Sequence, residues 1–588
     1  MAGILFVPET TPGAGTGHLR RCIDLCKRFA PRAAVYLPSD ARSELVQSVV
    51  DELGSRAVIR STQTFSDYRA IVLDRPVVQR REFIPWLRHS IVIGLDAGGN
   101  GRDHCSYTID VIPRLRDNEK VNVRDIGLLE LPRAVRASVV TRYTKALVTF
   151  GGEDPRNLTP KMVAALLRSG EFERQNITVV RGPLARWKVS DELRVLERPS
   201  NLKDVLKEFD IVFTSFGLTA FEAAAAGATV VLLNPTRYHA RLSRRVGFAD
   251  IGVGTPRIRK IRALLQDSDL GRRCARLTVT SSRRELADLL HTVSRVRHWG
   301  CPVCRRTGNP AILRDPARSF FRCTGCGMVY REAFMDSGIR YDEGYFCEEY
   351  RRQYGRTYLD DYNAIRETGM RRATRMAAML GRHKRKRAER QPADLLDVGC
   401  AYGPFLDAAH QKTFRVVGLD VARVAVRYVR HELRFAVVEG SVEDRTVRER
   451  WQPQTLDALS MWYVIEHLQD LRWVLRWVST VLRDGGVFAF STPNGAGISG
   501  LLHKRRLLRN SPADHVTVWT PRTARRVLRR FGLRAVRVVV TGHHPERFPG
   551  CSAVKPGSAL YRLLHGASRV LRLGDTFEVY ARRMPAKR

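Results

Sequence analysis

A loop of small residues follows an apolar segment in the second half of the chain and is placed to bind a cofactor. The run LLDV ends just after Asp397, and Gly399, Ala401 and Gly403 follow, while the next apolar run, VVGLD, ends in Asp420. Small residues let the backbone approach a ligand closely, and the helix expected after them offers free N–H groups. An acid at the end of a second strand suits the hydroxyls of a ribose. The pattern predicts a nucleotide-type site, with a dinucleotide site as the alternative.

The segments after this loop predict further strands. FAVVEGSVED predicts a third strand that ends near Ser441, Val442 and Glu443, LDALSMW a fourth, and GVFAFSTP a fifth. With these strands, residues 391–584 resemble the class I S-adenosylmethionine-dependent methyltransferases, closest to their small-molecule branch. A hydride-transfer enzyme needs a phosphate-cradling GxGxxG, and GCAYG is shorter.

The methyltransferase resemblance assigns roles to these residues. The acidic strand and small-residue loop would hold the methionine part of S-adenosylmethionine, the second-strand acid would hold the ribose hydroxyls, and the end of the third strand would read the adenine. By resemblance these roles belong, in that order, to Asp397, Gly399, Ala401 and Gly403, to Asp420, and to Ser441, Val442 and Glu443. Ala401 stands where the family often has glycine.

A histidine follows the predicted fourth strand at the mouth of this site. Methyl transfer to oxygen needs a base as well as good positioning of the reactants. His467, in the pair Glu466-His467, is the candidate base, and packing or helix orientation is its alternative role. Asp514-His515, in a later loop, forms a second candidate.

Four cysteines have the spacing of a structural metal site. Cys301 and Cys304 form one CxxC pair, Cys323 and Cys326 form another, and eighteen residues separate the pairs. Four thiolates match the tetrahedral preference of zinc and leave no open position, so we predict a structural zinc ribbon. A zinc ribbon before a methyltransferase domain resembles the arrangement in sugar and lipid methyltransferases that carry an N-terminal zinc ribbon. It also resembles the arrangement in some ribosomal-RNA guanine methyltransferases.

Three motifs in the N-terminal half could bind an activated sugar. PGAGTGHLRRC predicts a tight turn before a helix that begins near Gly17 and His18. At a helix N-terminus the dipole favours a neutral histidine, which can act as a base. VTFGGEDPRNLT places Gly151 and Gly152 at a strand end, and TSFGLTAFE predicts a helix that begins after Gly217. Such an N-terminus suits a diphosphate.

Together these motifs resemble the GT-B glycosyltransferase superfamily, and within it the UDP-sugar hydrolase of the pseudaminic acid pathway. The resemblance covers residues 1–290 and implies a UDP-sugar bound between two domains, with His18 as general base. It also implies a set of nucleotide-sugar contacts: Gly17, Gly151, Gly152, Ser215, Gly217, Thr219 and Glu222. The family has an Asn-Gln pair after its last strand, whereas this chain has NPTRYHARL, so hydrolysis and transfer both stay open.

The elements that position these residues alternate between strand and helix patterns. We therefore predict an α/β, multidomain chain: a GT-B-like pair of doubly wound domains, a small zinc ribbon, and a class I methyltransferase domain with terminal antiparallel strands. The expected boundaries are 1–140, 141–294, 297–330, a helical linker or cap at 331–390, 391–584, and a tail at 585–588.

Bulk composition constrains the function further. The chain has 588 residues and a net charge of +40. That charge permits nucleic-acid binding, but arginine is spread over nearly every predicted helix, which favours a general bias in composition. No apolar run is long enough to span a membrane, and no signal peptide is expected, so we predict a cytoplasmic protein.

Three functional hypotheses follow. The first is an S-adenosylmethionine-dependent methyltransferase acting on a sugar or glycan precursor, fused to a UDP-sugar hydrolase-like or glycosyltransferase-like unit in surface glycan biosynthesis. The second is an RNA methyltransferase with a zinc ribbon and basic RNA-binding regions. In the third, the N-terminal half is a non-catalytic sugar-binding module. We favour the first, because the GxGH and TxxE motifs need no RNA.

Overall fold

A computed structural model of the protein describes residues 3–585, apart from 14–15, 116–119, 133, 190–191, 198–201, 278–284, 297–299, 336–343, 345–347, 349, 385–391 and 413, and it omits the side chains of 353–354 and 382–384. Ala14 and Gly15 of PGAGTGHLRRC, parts of the predicted linker at 331–390, and residues 586–588 of the predicted tail therefore lie outside the described residues. The chain forms two compact units, Met1–His298 with Arg314–Ser319, and Trp299–Leu313 with Phe320–Arg588.

The first unit contains two parallel sheets. Their strands are β1 (Gly3–Pro8), β2 (Ala33–Tyr36), β3 (Val58–Ile59), β4 (Tyr68–Asp74), β5 (Ile91–Leu95), β6 (Tyr107–Asp110), β7 (Val123–Arg124), β8 (Ala146–Val148), β9 (Ile177–Arg181), β10 (Arg194–Glu197), β11 (Ile211–Thr214), β12 (Thr229–Asn234) and β13 (Ala249–Val253). The orders are β3-β2-β1-β4-β5-β6-β7 and β10-β9-β8-β11-β12-β13. The central strands are apolar on both faces because helices cover both faces of such a sheet.

The helices of this unit are α1 (Gly17–Phe29), α2 (Ser43–Leu53), α3 (Arg80–Phe83), α4 (Leu158–Ser169), α5 (Leu218–Ala225), α6 (Arg237–Val246), α7 (Ile258–Leu265), α8 (Leu270–Ala275) and α9 (Leu286–Ser294). In each sheet the first strand is central, with the chain proceeding first to one side and then to the other. That reversal of direction creates a crevice at the carboxyl ends of the strands, where ligands bind in folds of this kind.

The second unit contains a large sheet and a small one. The strands are β14 (Ala311–Asp315), β15 (Arg318–Arg322), β16 (Val329–Ala333), β17 (Ala393–Val398), β18 (Phe414–Asp420), β19 (Ala436–Glu439), β20 (Leu456–Trp462), β21 (Leu482–Pro493), β22 (Thr517–Val518), β23 (Leu533–Thr541) and β24 (Thr576–Arg583). The large sheet has the order β19-β18-β17-β20-β21-β24-β23, and the small one β14-β15-β16-β22. The large sheet is Rossmann-like.

The C-terminal strands pair as the sequence suggests. β24 is antiparallel to both β21 and β23, so β23 is the outermost strand of the sheet. The helices around the two sheets are α10 (Tyr350–Tyr354), α11 (Tyr362–Lys384), α12 (Pro404–His410), α13 (Arg423–His431), α14 (Arg445–Arg448), α15 (Leu471–Val481), α16 (Ile498–Leu502), α17 (Lys504–Arg509), α18 (Pro521–Arg529) and α19 (Ala559–Val570). No helix in the described part of the chain combines the length and the apolar character needed to cross a membrane.

Candidate cofactor and catalytic sites

The loop after β17 depends on three left-handed backbone positions. Gly399 has φ +73°, Ala401 φ +47° and Gly403 φ +81°. Glycine adopts this conformation without strain, whereas an alanine there costs roughly 1–2 kcal/mol. The Ala401 N–H donates to Asp420 Oδ2 at 2.8 Å, which offsets part of that cost. The alanine is therefore a strained position within the loop.

Asp420 connects the ends of two strands. Its Oδ1 accepts the N–H of Ala422 at 2.8 Å, while its Oδ2 accepts the N–H of Ala401. Burial raises the pKa of Asp420, and the backbone N–H donors oppose that rise. Each carboxylate oxygen has a second lone pair, so the group can hold the loop and still accept hydroxyls from a ligand.

Asp397 is buried and bonded to a neighbouring strand. The Ser460 hydroxyl on β20 donates to Asp397 Oδ1 at 2.6 Å, and the two residues are register partners. Burial raises the pKa of Asp397 to about 7, and nearby Asp420 adds to the rise. Sequence reasoning did not identify Ser460, because only strand register brings it to Asp397.

Three tyrosines pack next to this loop. The ring of Tyr358, between α10 and α11, lies 5.9 Å from that of Tyr402, which in turn lies 5.1 Å from that of Tyr428. Burial raises the pKa of Tyr358 well above its ordinary value, and the carboxylates of Asp397 and Asp420 add to the effect. The segment expected to be a helical cap therefore contributes aromatic surface beside the two acids.

After β19, the third strand predicted for this sheet, some of the polar groups are already used in hydrogen bonds within the protein. The Glu443 N–H donates to Ser441 Oγ at 3.1 Å, and Glu443 Oε1 accepts the N–H of Asp470 at 2.6 Å. Asp470 is the N-cap of α15. Burial raises the pKa of Glu443. The Glu443 carboxylate supports the start of α15, and Val442 beside it is buried.

His467 lies in a turn between β20 and α15. The sequence suggested that the helix follows the strand at once, but β20 ends at Trp462 and α15 begins only at Leu471. His467 Nδ1 lies 3.0 Å from Asp514 Oδ2, which joins the two candidate bases of the sequence analysis. Burial lowers the pKa of His467, but Asp514 and Glu466 outweigh it, so the pKa is raised.

The groups around His467 form a compact polar cluster. A carboxylate oxygen of Glu466 and ring nitrogens of His467 and His515 lie within 4.8 Å of one another. Burial raises the pKa of Glu466 to about 7, with the positive charge of His467 opposing the rise. A Cβ built on Gly399 would lie 2.3 Å from Val464 Cγ2. The turn therefore packs directly against residues 399–403, which we call the cofactor loop.

The four cysteines converge as their spacing predicts. Cys301 Sγ lies 3.4 Å from Cys326 Sγ, and Cys304 Sγ lies 3.4 Å from Cys323 Sγ. One ligand atom from each of the four lies within 4.8 Å of the others. Sulfurs at about 2.3 Å from a single tetrahedral zinc would lie about 3.8 Å apart. The donor set and the spacing fit one zinc ion.

In the first unit, His18 belongs to a buried charge network. His18 Nδ1 lies 2.6 Å from Asp74 Oδ1, at the end of β4. Arg21 donates to both oxygens of Asp74 and also lies 2.7 Å from Asp96 Oδ2. Burial would raise the pKa of Asp74, but Arg21 and His18 outweigh it and hold the pKa at about 2.

The network corrects one expectation about His18. The helix dipole was expected to favour its neutral form, and burial also lowers its pKa. The Asp74 carboxylate outweighs these effects, so the pKa of His18 is raised. The Asp74 contact also favours the tautomer with the proton on Nδ1 and the lone pair on Nε2.

The glycine pair after β8 approaches the loop that precedes His18. A Cβ built on Gly152 would lie 2.0 Å from Thr16 Oγ1, and Gly151 has φ +81°. The N–H of Gly13 donates to Glu153 Oε2 at 2.9 Å. The carboxyl ends of β1 and β8 thus face each other, and only a residue without a side chain fits at Gly152.

The predicted nucleotide contacts lie at the start of α5. Gly217 precedes the helix with an extended φ of 170°, and a Cβ built there would meet no atom within 4 Å among the described residues other than its chain neighbours. A Cβ on Gly17 would lie 3.8 Å from Leu218 Cδ1, so the starts of α1 and α5 are adjacent. Ser215 and Thr219 flank this point and are partly exposed.

Glu222 lies one turn further along α5. Burial raises its pKa, and Lys203 Nζ, 3.8 Å from Glu222 Oε1, opposes the rise. In the segment NPTRYHARL, Thr236 Oγ1 lies 2.7 Å from His239 Nδ1, and Tyr238 is 52% exposed. Tyr238 and His239 lie in the first turn of α6.

Comparison with known proteins places the similarity mainly in the second unit. A family model described as "Methyltransferase domain" matches residues 362–538. The chain is 36% identical over 107 residues to a probable S-adenosylmethionine-dependent methyltransferase of Mycolicibacterium smegmatis, covering 17% of this chain and 38% of that protein. It is 28% identical over 131 residues to a ubiquinone biosynthesis O-methyltransferase of Idiomarina loihiensis, covering 22% and 51%.

Two further matches complete the comparison. An uncharacterized protein of Methanocaldococcus jannaschii is 37% identical over 99 residues, 15% of this chain and 20% of that protein. A solved S-adenosylmethionine-dependent methyltransferase of Archaeoglobus fulgidus has 16% identity and a TM-score of 0.29, covering 38% of this chain and 98% of that one. The chain spans only 20% to 51% of the length of the three curated relatives.

Proposed function

We propose that the C-terminal half of the chain, which contains a class I S-adenosylmethionine-dependent methyltransferase domain, methylates a hydroxyl oxygen of a sugar or glycan precursor. The single observation that carries the proposal is the pairing of His467 with Asp514 in a turn that packs on the cofactor loop. The O-methyltransferases among the similar proteins support an oxygen acceptor.

The residues around the loop fit S-adenosylmethionine. Asp397 and Asp420 are buried acids at the ends of adjacent strands, and the loop after β17 has small residues at Gly399, Ala401 and Gly403. Asp420 would accept the ribose hydroxyls, and the segment Ser441–Glu443 would line the adenine. When bound, the cofactor supplies an electrophilic methyl group on a sulfonium.

His467 would take the proton from the acceptor hydroxyl. Asp514 orients the imidazole through Nδ1, so Nε2 carries the lone pair that accepts the proton. The raised pKa makes His467 a stronger base, while Asp514 stabilises the imidazolium that forms. A Glu466 carboxylate oxygen lies within 4.8 Å of a His467 ring nitrogen and would help to stabilise the imidazolium.

Cofactor binding and methyl transfer can be tested separately. Isothermal titration of the full chain with S-adenosylmethionine should give a defined heat of binding. Mass spectrometry of surface sugars from wild-type and deletion cells should then show a methylated sugar that is lost in the deletion. Absence of cofactor binding contradicts the domain's proposed activity, whereas unchanged sugars contradict only the proposed acceptor.

For the N-terminal half, we propose a GT-B-like pair of domains that binds a UDP-sugar, with His18 as general base. The support is the His18–Asp74 pair at the carboxyl edge of the first sheet, next to the start of α5. UDP and UDP-N-acetylhexosamines should protect the first unit, measured as slower hydrogen exchange in α1 and α5. If exchange in both helices is unchanged, a nucleotide-sugar function for this half is wrong.

The cysteine cluster is proposed to hold one structural zinc, since four thiolates at this spacing leave no open coordination position. The two halves would then act in surface glycan biosynthesis in the cytoplasm, one handling the activated sugar and the other methylating it. Elemental analysis of purified protein that shows no zinc would contradict the metal assignment.

A further inference from the structure

A stripe of arginines follows one face of α18. The stripe consists of Arg522, Arg525, Arg526, Arg529 and Arg530, which line a groove of about 640 Å³. Positions i, i+3, i+4, i+7 and i+8 share one side of a helix. The opposite side, with Ala524, Val527 and Leu528, is buried in the core. The helix therefore presents a purely cationic surface about 12 Å long, from its first turn to its end.

Unlike several other arginines of the chain, these five have no acidic partner among the described residues. Arg20 contacts Asp24 and Glu52, and Arg375 contacts Glu578. Among the described residues, no carboxylate lies within 4.0 Å of any guanidinium of the stripe. Like charges packed this closely repel one another, and an anion between them would relieve that repulsion.

Two of the five side chains are held in place by the cysteine module. Arg530 Nη2 donates to the carbonyl of Gly325 at 2.9 Å, and Arg526 Nη1 donates to that of Cys326 at 3.5 Å. A Cβ on Gly327 would lie 2.9 Å from Arg526 Nη1, so the glycine leaves room for this side chain. Two of the arginines that line the groove are thus anchored on the second CxxC turn, so part of the groove is ordered before any ligand arrives.

The composition of the groove defines the ligand. Guanidinium groups bind phosphate oxygens through paired hydrogen bonds, and several of them together match adjacent phosphates. Single-stranded nucleic-acid sites add aromatic platforms for the bases, and base reading needs groups that can distinguish base edges. The groove is lined by arginines alone. It can therefore hold phosphates, and its lining contains no aromatic side chain on which successive bases would stack.

We propose that this arginine groove binds the diphosphate of a nucleoside-diphosphate-linked sugar. That the bound molecule is the methyl acceptor rests on the proposed function, whereas diphosphate binding itself does not. An acceptor anchored by its diphosphate would be selected from the free sugar by charge. The methyltransferase unit and the first unit would then bind the same class of substrate, a nucleoside-diphosphate-linked sugar.

The test uses two variants of the full chain that remove equal charge. Arg522 and Arg529 are exposed and, among the described residues, have no hydrogen bond to the cysteine module, so the double substitution Arg522→Gln/Arg529→Gln should leave the fold intact. The matched control is Arg423→Gln/Arg427→Gln, on an exposed face of α13. Inorganic pyrophosphate and UDP-N-acetylglucosamine are titrated into each by calorimetry at moderate salt, and melting temperatures confirm folding.

We expect the α18 double variant to bind pyrophosphate about tenfold more weakly or to lose one binding component, while the control matches wild type. Gly217→Ala, which alters only the proposed site in the first unit, should leave that component unchanged. Equal weakening in both double variants would reduce the effect to general charge and overturn the proposal. A groove that binds single-stranded RNA but not pyrophosphate would also overturn it, as would the absence of any component lost with α18.

Discussion

His467 Nδ1 lies 3.0 Å from Asp514 Oδ2, although 46 residues separate them in the sequence. The turn after β20 holds the histidine, and the loop before β22 supplies the acid. The backbone carbonyl of Glu466 also accepts the N–H groups of Val516 and Thr517, which holds the two segments together. This pair combines into one unit two residues that the sequence presents as separate candidates.

Removing the imidazole should abolish most of the methyl transfer. For His467→Ala we expect a loss of about 10²–10⁴ in kcat with cofactor affinity unchanged, the usual contribution of a positioned base. Methyl transfer from labelled cofactor and calorimetric binding are measured on the same protein. His503→Ala, at the end of α16, is the control and should retain activity. Unchanged turnover in His467→Ala would exclude the base assignment.

The Asp514 contact should be visible in the pH profile. His467 acts as a base only when deprotonated, and its pKa is raised, so kcat/KM should rise with pH through a midpoint above the ordinary value of about 6.5. Asp514→Asn removes the charge that raises the pKa and should move that midpoint to lower pH. A midpoint that does not move would show that Asp514 does not act through His467.

Cofactor affinity should depend on Asp420 but not on Asp394, although both acids lie in the same sheet. Asp420→Asn places an amide opposite the N–H groups of Ala401 and Ala422, so we expect at least about tenfold weaker binding of S-adenosylmethionine. Asp394→Asn is the control, because Asp394 lies near the start of β17 and pairs with Arg415. Calorimetry that shows equal affinity for the two variants would argue against the ribose role of Asp420.

Two glycines of the first unit should respond differently to alanine. Gly217 has extended backbone and open space around its Cβ, so Gly217→Ala should keep its melting temperature but weaken UDP binding by filling the proposed phosphate position. Gly152→Ala would collide with the Thr16 side chain, so it should lower the melting temperature. Normal UDP affinity in a folded Gly217→Ala variant would place the nucleotide elsewhere.

The buried network around Arg21 should dominate the stability of the first unit. Arg21→Met leaves Asp96 without the Arg21 cation and Asp74 with only His18 as its cationic partner, at a cost of about 3–5 kcal/mol in unfolding free energy. Arg20→Met removes only partly exposed pairs and should cost no more than about 1 kcal/mol. The unfolding free energies of the two variants are compared by urea unfolding, with hydrogen exchange in β1 and β4 as the probe. Similar costs would contradict the network's structural role.

The sequence located most elements because its local signals are strong. Apolar runs that end in Asp397 and Asp420 predicted adjacent strands, and the spacing of the CxxC pairs predicted the cysteine cluster, which the structure brings within 4.8 Å. The start of the helix after β20 was predicted less accurately, because no residue pattern distinguishes the turn after Trp462 from the first turn of α15. The domain of the C-terminal half was likewise predicted from motif order along the chain.

Contacts between distant segments were beyond the sequence. Strand register places Ser460 next to Asp397, and the end of β4 places Asp74 next to His18 of α1. The arginines at the end of α18 contact the second CxxC turn only after folding. The sequence by itself determined residue types, their local spacing and the alternation of strands and helices, because these depend on near neighbours. Tertiary structure alone decided which charges are paired, buried or left facing solvent, because burial and Coulomb interactions depend on distances in space.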